Sequence, residues 1–232
     1  MAEGRVPAER RRRRPARSGV VLSQELIVDR ALTLVAQQGP EALSVRRLGA
    51  ALGCDPSALY RYFHNTDDLL LAIADRLIGE ALDGFEPGDD WVAGLREMAH
   101  RIHGSYRAHP RVAALAAYRV TRRPHEFRAV DTGIGLLRRA GFDEAAAVRH
   151  YAAFVDTVLG HAALDAAQAA LPRERREGDE EAWTSVYQSV PEAEYPQLAW
   201  ASGELGRMAE GAFAEAVELL LEGLAGRVDV PR

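Results

Sequence analysis

The 232-residue sequence predicts an all-α protein, a small N-terminal unit of three helices followed by a larger helical body. Three observations lead there. Apolar residues recur at helical spacing from Ile27 to Leu224, and no segment alternates as a strand does. Glycine and proline (Gly39-Pro40, Gly53, Pro87-Gly88, Pro110, Pro124, Gly141, Pro172) cut that pattern into helix-sized pieces. The stretch from Ser44 to Asn65 then places a helix start, a stop and a second start close together, as a helix-turn-helix requires.

Residues 1–19 read as a disordered basic arm without apolar periodicity. They hold Arg10, Arg11, Arg12, Arg13 and Arg14 in one run, then Pro15 and Arg17. Such a segment is either a solvated tail or an arm that touches phosphates or enters a minor groove. A first helix over 23–38 follows from Ser23 as cap and the inward stripe Ile27, Ala31, Leu34 and Val35. Ser44 caps the second helix, whose Leu48, Ala51 and Leu52 share a face, and Gly53 supplies the left-handed stop. Asp55 caps the third and Pro56 takes its first position, where a missing N–H is harmless. Leu59 and Phe63 point inward. Ser57, Ala58, Arg61 and Tyr62 are left outside, with Tyr60 at the edge.

A connecting helix is predicted over 67–82, with Leu70, Ile73, Leu77 and Ile78 buried and Asp67 and Asp68 at its positive end. Further helices are expected over 90–108, 111–120, 125–140, 143–170 and 203–226, with a short piece before Ala201. The charged stretch 173–181 reads as the start of an exposed loop reaching about residue 196. In the last helix, Phe213, Val217, Leu220, Leu221 and Leu224 form a broad apolar stripe suited to a homodimer interface or to burial within one subunit.

Net charge is −5, but residues 1–65 carry eleven Arg against six Asp and Glu, a net +5, which leaves −10 for the remainder. One end attracts nucleic acid and the other repels it. All basic side chains are arginine. No apolar run approaches the ~20 residues of a membrane span, and the N-terminus lacks the apolar core of a signal peptide, so a cytoplasmic protein without membrane contact is expected. The lone Cys54 excludes an internal disulfide and a cysteine zinc site. Glu97 and His100 match half of a carboxylate-bridged di-iron pattern, but no second Glu-x-x-His exists. Phosphate loops and nucleophile elbows are missing as well, so neither cofactor, metal nor catalysis is expected.

The residues Leu43-Ser-Val-Arg-Arg-Leu48, Leu52-Gly53, Ala58-Leu-Tyr-Arg-Tyr-Phe63, Asn65 and Leu69-Leu70 closely resemble the DNA-binding domain of TetR-family transcriptional regulators, over about residues 20–83. The resemblance implies a helix-turn-helix DNA-binding domain over 20–66. It also implies a ligand-binding and dimerisation domain over 67–232, of which 67–83 is the connecting helix. It assigns DNA contacts to Ser44, Arg46, Pro56, Ser57, Ala58, Tyr60, Arg61, Tyr62 and Thr66, the last in place of the family's commoner lysine. The function implied is a homodimeric repressor on palindromic double-stranded operator DNA, released by a small-molecule inducer. The other reading is a helical-bundle enzyme or metal-binding protein with an incidental helix-turn-helix.

Arg123-Pro124, Ala140-Gly141-Phe142, Leu159-Gly160 and Gly223-Leu224 are similar to the tetracycline-repressor-like branch. Asp156, Leu164 and Gly133 stand where that branch has histidine, glutamate and glutamine, which argues against metal–tetracycline binding. The polar and aromatic residues expected to supply a ligand pocket are His100, His103, Tyr106, Tyr118, Phe127, Tyr151, Phe154 and His161.

Overall fold

The helices that open at Gln24, Val45, Thr66 and Trp91 start where short polar side chains catch free backbone amides. A computed structural model describes residues 21–228; the arm with Arg10, Arg11, Arg12, Arg13 and Arg14 lies outside the described residues. The Ser23 hydroxyl accepts the Leu26 N–H at 3.1 Å and opens α1 (Gln24–Gln38). Ser44 does the same for the Arg47 N–H at 3.3 Å and opens α2 (Val45–Leu52). Such caps contribute ~1 kcal/mol each. Gly53 closes α2 at φ +64°, in the left-handed region that glycine adopts without strain.

The next element departs from expectation in its winding. Pro56–Arg61 is a 3-10 helix, capped by Asp55 on the Ser57 N–H at 2.8 Å. Its last turn shares one acceptor, because the N–H groups of Tyr62 and Phe63 both bond the Leu59 carbonyl, at 2.9 and 3.0 Å. Leu59 and Phe63 are buried as predicted. Two buried anchors, rather than a long hydrogen-bond ladder, therefore hold this element. Asn65 then caps α3 (Thr66–Ala81), the connecting helix.

Beyond it run α4 (Trp91–Ala108), α5 (Pro110–Ala116), α6 (Pro124–Arg139) and α7 (Glu144–Ala169). The fifth helix stops short of the predicted residue 120, because the chain beyond it leaves helical geometry and Arg122 takes φ +57°. Residues expected as a charged loop form α8 (Arg173–Thr184). Its composition hid the helix: nothing in it is buried, and Arg173–Glu177 and Arg176–Glu180 pair at i,i+4 spacing, at 2.6 and 3.9 Å. The short α9 (Pro196–Trp200) lies where a piece before Ala201 was expected. The predicted helix over 203–226 is divided. Leu205–Ala209 forms a 3-10 turn, Gly211 breaks the chain at φ +84°, and α10 (Phe213–Val228) starts afresh.

α3 joins the two halves of the core, packing on α1 at one end and on α4, α5 and α6 further along. α10 lies against α4 and α7, and Arg96 fixes its rotation with a two-pronged bond to Glu218, 2.6 and 2.7 Å. This seating corrects the expected dimer stripe. Phe213, Val217, Leu221 and Leu224 are at most 8% exposed within one chain, and Leu220 is half-buried. Phe213, Val217, Leu221 and Leu224 are core, Leu220 packs against it partly buried, and Leu219 on α10 and Val148 and Leu164 on α7 point outward.

Leu221→Ala is expected to lower stability by about 2–5 kcal/mol in urea denaturation, the usual loss for emptying a leucine site in a core. Its sedimentation behaviour should match the parent's. Subunits that separate at native stability would return Leu221 to an interface.

Candidate nucleic-acid interface and effector cavity

The outward face of the first three helices is basic and open. Arg46, Arg47, Ser57, Tyr60 and Arg61 are exposed, and neither Arg46 nor Arg47 has an acidic partner among the described residues. Sequence reasoning passed over Arg47, although its pairing with Arg46 was visible. Ser44 is half-buried; its oxygen accepts the cap bond while its proton stays available. Pro56, Ala58 and Thr66 are also half-buried, and Ala58 packs on the core. Tyr62 corrects an expectation. Its hydroxyl donates to the Leu22 carbonyl at 2.7 Å, and its own carbonyl accepts from the Gln24 side chain at 3.2 Å. It braces the start of α1 instead of offering a free donor to phosphate. Cys54 sits in the turn, where burial and then the Asp55 charge raise its thiol pKa, so it stays protonated.

The first turn of α3 follows directly. Asn65 accepts the Asp68 N–H at 2.8 Å, and Asp68 accepts the His64 N–H at 2.9 Å, a reciprocal cap. Both acids of this turn also hold arginines from the segment between α5 and α6. Arg119 grips Asp67 with two bonds of 2.6 and 2.8 Å, and Arg123 meets Asp68 at 2.6 Å. The Arg119 hydrogen bond keeps the Asp67 carboxyl below its ordinary range. Two turns along, buried Asp75 accepts the Glu126 N–H at 2.9 Å and the Thr121 hydroxyl at 3.4 Å, and lies 2.9 Å from His125 Nδ1. The Glu126 carboxylate in turn accepts the N–H groups of Thr121 and Arg122, at 3.0 and 2.7 Å. Residues 119–126 are thus clamped to α3 at two places.

That same segment forms one wall of a cavity of about 690 Å³. Ile78 of α3, Ile102 of α4, Phe127, Val130 and Ile134 of α6, and Tyr151, Phe154 and Leu159 of α7 supply an apolar lining. Of the expected pocket residues, Phe127, Tyr151 and Phe154 lie here. Gly133 gives Tyr151 its place, since a Cβ there would stand 2.1 Å from the Tyr151 ring. Ile78 and Ile102 escaped sequence reasoning because their spacing reads as ordinary core. Arg122, Asp131 and Asp156 are also in the lining, and none of them was among the expected pocket residues.

His100 and His103 line a different, polar cavity of about 530 Å³ beside α8. Its His103 Nε2 lies 2.8 Å from Asp165, the ring stacks on Phe213 at 3.6 Å, and burial lowers its pKa, favouring the neutral form. Three expected pocket residues line neither cavity. Tyr106 is sealed in the core, Tyr118 is 75% exposed, and His161 meets the Phe213 ring edge-on at 6.0 Å. Glu97 pairs with Arg101, and no three His, Cys, Asp or Glu side chains among the described residues converge on a metal position.

Comparison with known proteins agrees with this geometry. Residues 27–73 match the model for bacterial regulatory proteins of the tetR family, and residues 84–228 match that for the tetracyclin repressor-like C-terminal domain. An HTH-type transcriptional regulator of Saccharopolyspora erythraea is 26% identical over 210 residues, 90% of this chain and 87% of that protein. The HTH-type transcriptional repressor DrrR1 of Streptomyces coeruleorubidus is 26% identical over 218 residues, 91% of this chain and 81% of the repressor. Among solved structures, ActR of Streptomyces coelicolor in complex with actinorhodin superposes with a TM-score of 0.78 at 25% identity, covering 89% of this chain and 96% of ActR. The chain belongs to the TetR family of bacterial transcriptional regulators.

Proposed function

We propose that the protein is a cytoplasmic repressor, not an enzyme, that binds a palindromic operator as a homodimer and leaves it when a small molecule fills the 690 Å³ cavity. The observation that carries this reading is the clamp. The segment that walls the cavity with Val120, Arg122 and Glu126 also holds Asp67 and Asp68, through Arg119 and Arg123, next to the recognition element. A ligand that shifts residues 119–126 shifts that turn with it, and in a dimer this alters the distance between two recognition elements. Their spacing must match a turn of DNA, so a small mismatch loses one half-site.

In this reading residues 20–66 bind DNA, 67–83 connect, and the rest of the chain to 232 binds ligand and pairs subunits. Arg46 and Arg61 reach base edges or phosphate. Ser44, Ser57, Tyr60 and Thr66 supply hydroxyls to phosphate oxygens, and Pro56 and Ala58 supply close apolar contact. Tyr62 sets the position of the element. The run Arg10 to Arg14 adds phosphate contacts. Subunits pair through the outward faces of α7 and α10, with Leu164 and Leu219 in the contact. DrrR1 is named a repressor and ActR has been seen with actinorhodin, which supports repression relieved by a small molecule. The test is a gel shift on DNA flanking the protein's own gene, repeated with compounds that raise the protein's melting temperature. Absence of any sequence-specific shift would end the proposal.

Four variants probe the parts separately. Arg46→Ala is expected to weaken operator binding by ~1–3 kcal/mol and Tyr60→Phe by less, both at native stability. Equal affinities at matched salt would take these residues out of the interface. Leu219→Glu should yield monomers in sedimentation, because a carboxylate buried between subunits without a partner is strongly unfavourable; a persistent dimer would place the contact elsewhere. With Arg119→Ala and Arg123→Ala together, amide exchange at His64 to Leu69 should speed up and operator affinity should fall several-fold. Unaltered exchange there would show that the clamp holds nothing.

A further inference from the structure

We infer that the ligand of the 690 Å³ cavity is an amphipathic organic cation, a protonated amine on an apolar frame; the inference rests on the effector reading of that cavity. Four charged side chains belong to its lining: Glu126, Asp131, Asp156 and Arg122. Three carboxylates face one guanidinium, so the cavity carries a net negative charge on otherwise apolar walls. Glu126 is fixed in place, with both oxygens on backbone amides. Asp131 and Asp156 are exposed and have no hydrogen bond or ion pair among the described residues. They stand free at the rim to meet a ligand's charge.

The field inside has the same sign. After burial, the negative charge of Glu126 is the next cause that raises the Tyr151 hydroxyl pKa, and Glu126 and Asp75 do the same at Tyr106 behind the wall. An anion entering here would lose its water against like charges, whereas an ammonium group finds counter-charge. Phe127, which is 47% exposed, adds an aromatic ring that attracts a cation. These carboxylates do not converge on a metal position, so the cation they fit is organic. The frame lies inward on Ile102 and Ile134, and the amine stays near Asp131 and Asp156.

The experiment uses full-length protein and the neutral fluorescent probe N-phenyl-1-naphthylamine, displaced by decylamine, decanol or decanoate. These competitors share a frame and differ in charge. Probe binding that is lost on filling the cavity with Ile134→Trp assigns the signal to this site. Decylamine is expected to compete about tenfold better than decanoate, equivalent to ~1.4 kcal/mol. Asp131→Asn with Asp156→Asn should remove most of that preference while the neutral probe still binds. If decanoate competes as well as decylamine, or the paired variant keeps the full preference, the cation assignment falls and the effector cavity stands. A parent protein that does not bind the probe, or binds it unchanged with Ile134→Trp, overturns the effector reading and this inference with it.

Discussion

The coupling of the two halves depends on one buried carboxylate. Asp75 is 6% exposed, and an ion so placed is tolerable only when its oxygens are hydrogen-bonded. Its partners all come from residues 121–126: the Thr121 hydroxyl, the Glu126 amide and the His125 ring. The Glu126 amide belongs to the first turn of α6, where a negative charge is favoured by the free N–H groups. Asp75 therefore seats α6 on α3 and fixes the cavity wall between them. Gly79, one turn further, makes the approach possible, since a Cβ there would stand 2.6 Å from the His125 ring. Loss of any partner would leave charge or donors stranded, so the arrangement holds as a unit.

Against that anchor, the ion pairs at the start of α3 have a different character. Asp67 is exposed, so water and salt screen its bond to Arg119. Asp68 and Arg123 are better sheltered, at 26% and 22% exposure of their side chains. The joint is thus firm at Asp75 and more yielding toward the recognition element. In the proposed switch, firmness at the cavity end would transmit a displacement, and compliance at the other end would let the turn at His64 and Asn65 respond without unfolding the core.

The N-terminal unit was legible because its signals are local. Ser23, Ser44, Gly53 and Asp55 act within four residues of themselves, and the structure uses each as a cap or stop; the Asn65 cap on α3 was not read. The 3-10 winding of Pro56–Arg61 was not legible, since the anchors Leu59 and Phe63 fit an α-helix equally well. In the body, periodicity identified which face of α10 is apolar but could not say what covers it; Val217 and Leu221 are covered by the same chain. α8 buries nothing, so no periodic signal marked it. The cavity is the least legible part. Phe127, Tyr151 and Phe154 came from residue type alone, while Tyr106 and His161 have the same chemistry and the wrong place. The clamp joins Asp67, Asp68 and Asp75 to residues about fifty positions away, a pairing no single sequence announces.

Charge links these levels. The acidic half carries Arg119 and Arg123, yet neither adds to a DNA-binding surface; both are spent on Asp67 and Asp68. Those two acids stand beside the face proposed to meet phosphate, where bare carboxylates would repel it. Pairing them with arginines from the body solves this and makes the connection in the same bonds. A ligand can then act on DNA affinity only through a difference in its own affinity for the two positions of the clamp. A hundredfold preference for the position that misfits DNA would be worth about 2.7 kcal/mol per subunit, and in the proposed dimer two subunits would double it. The same coupling runs backward, so bound operator must weaken the inducer by the factor with which the inducer weakens the operator. In the proposed switch, rigid contact at Asp75 would keep that exchange from being dissipated in local rearrangement of the cavity wall.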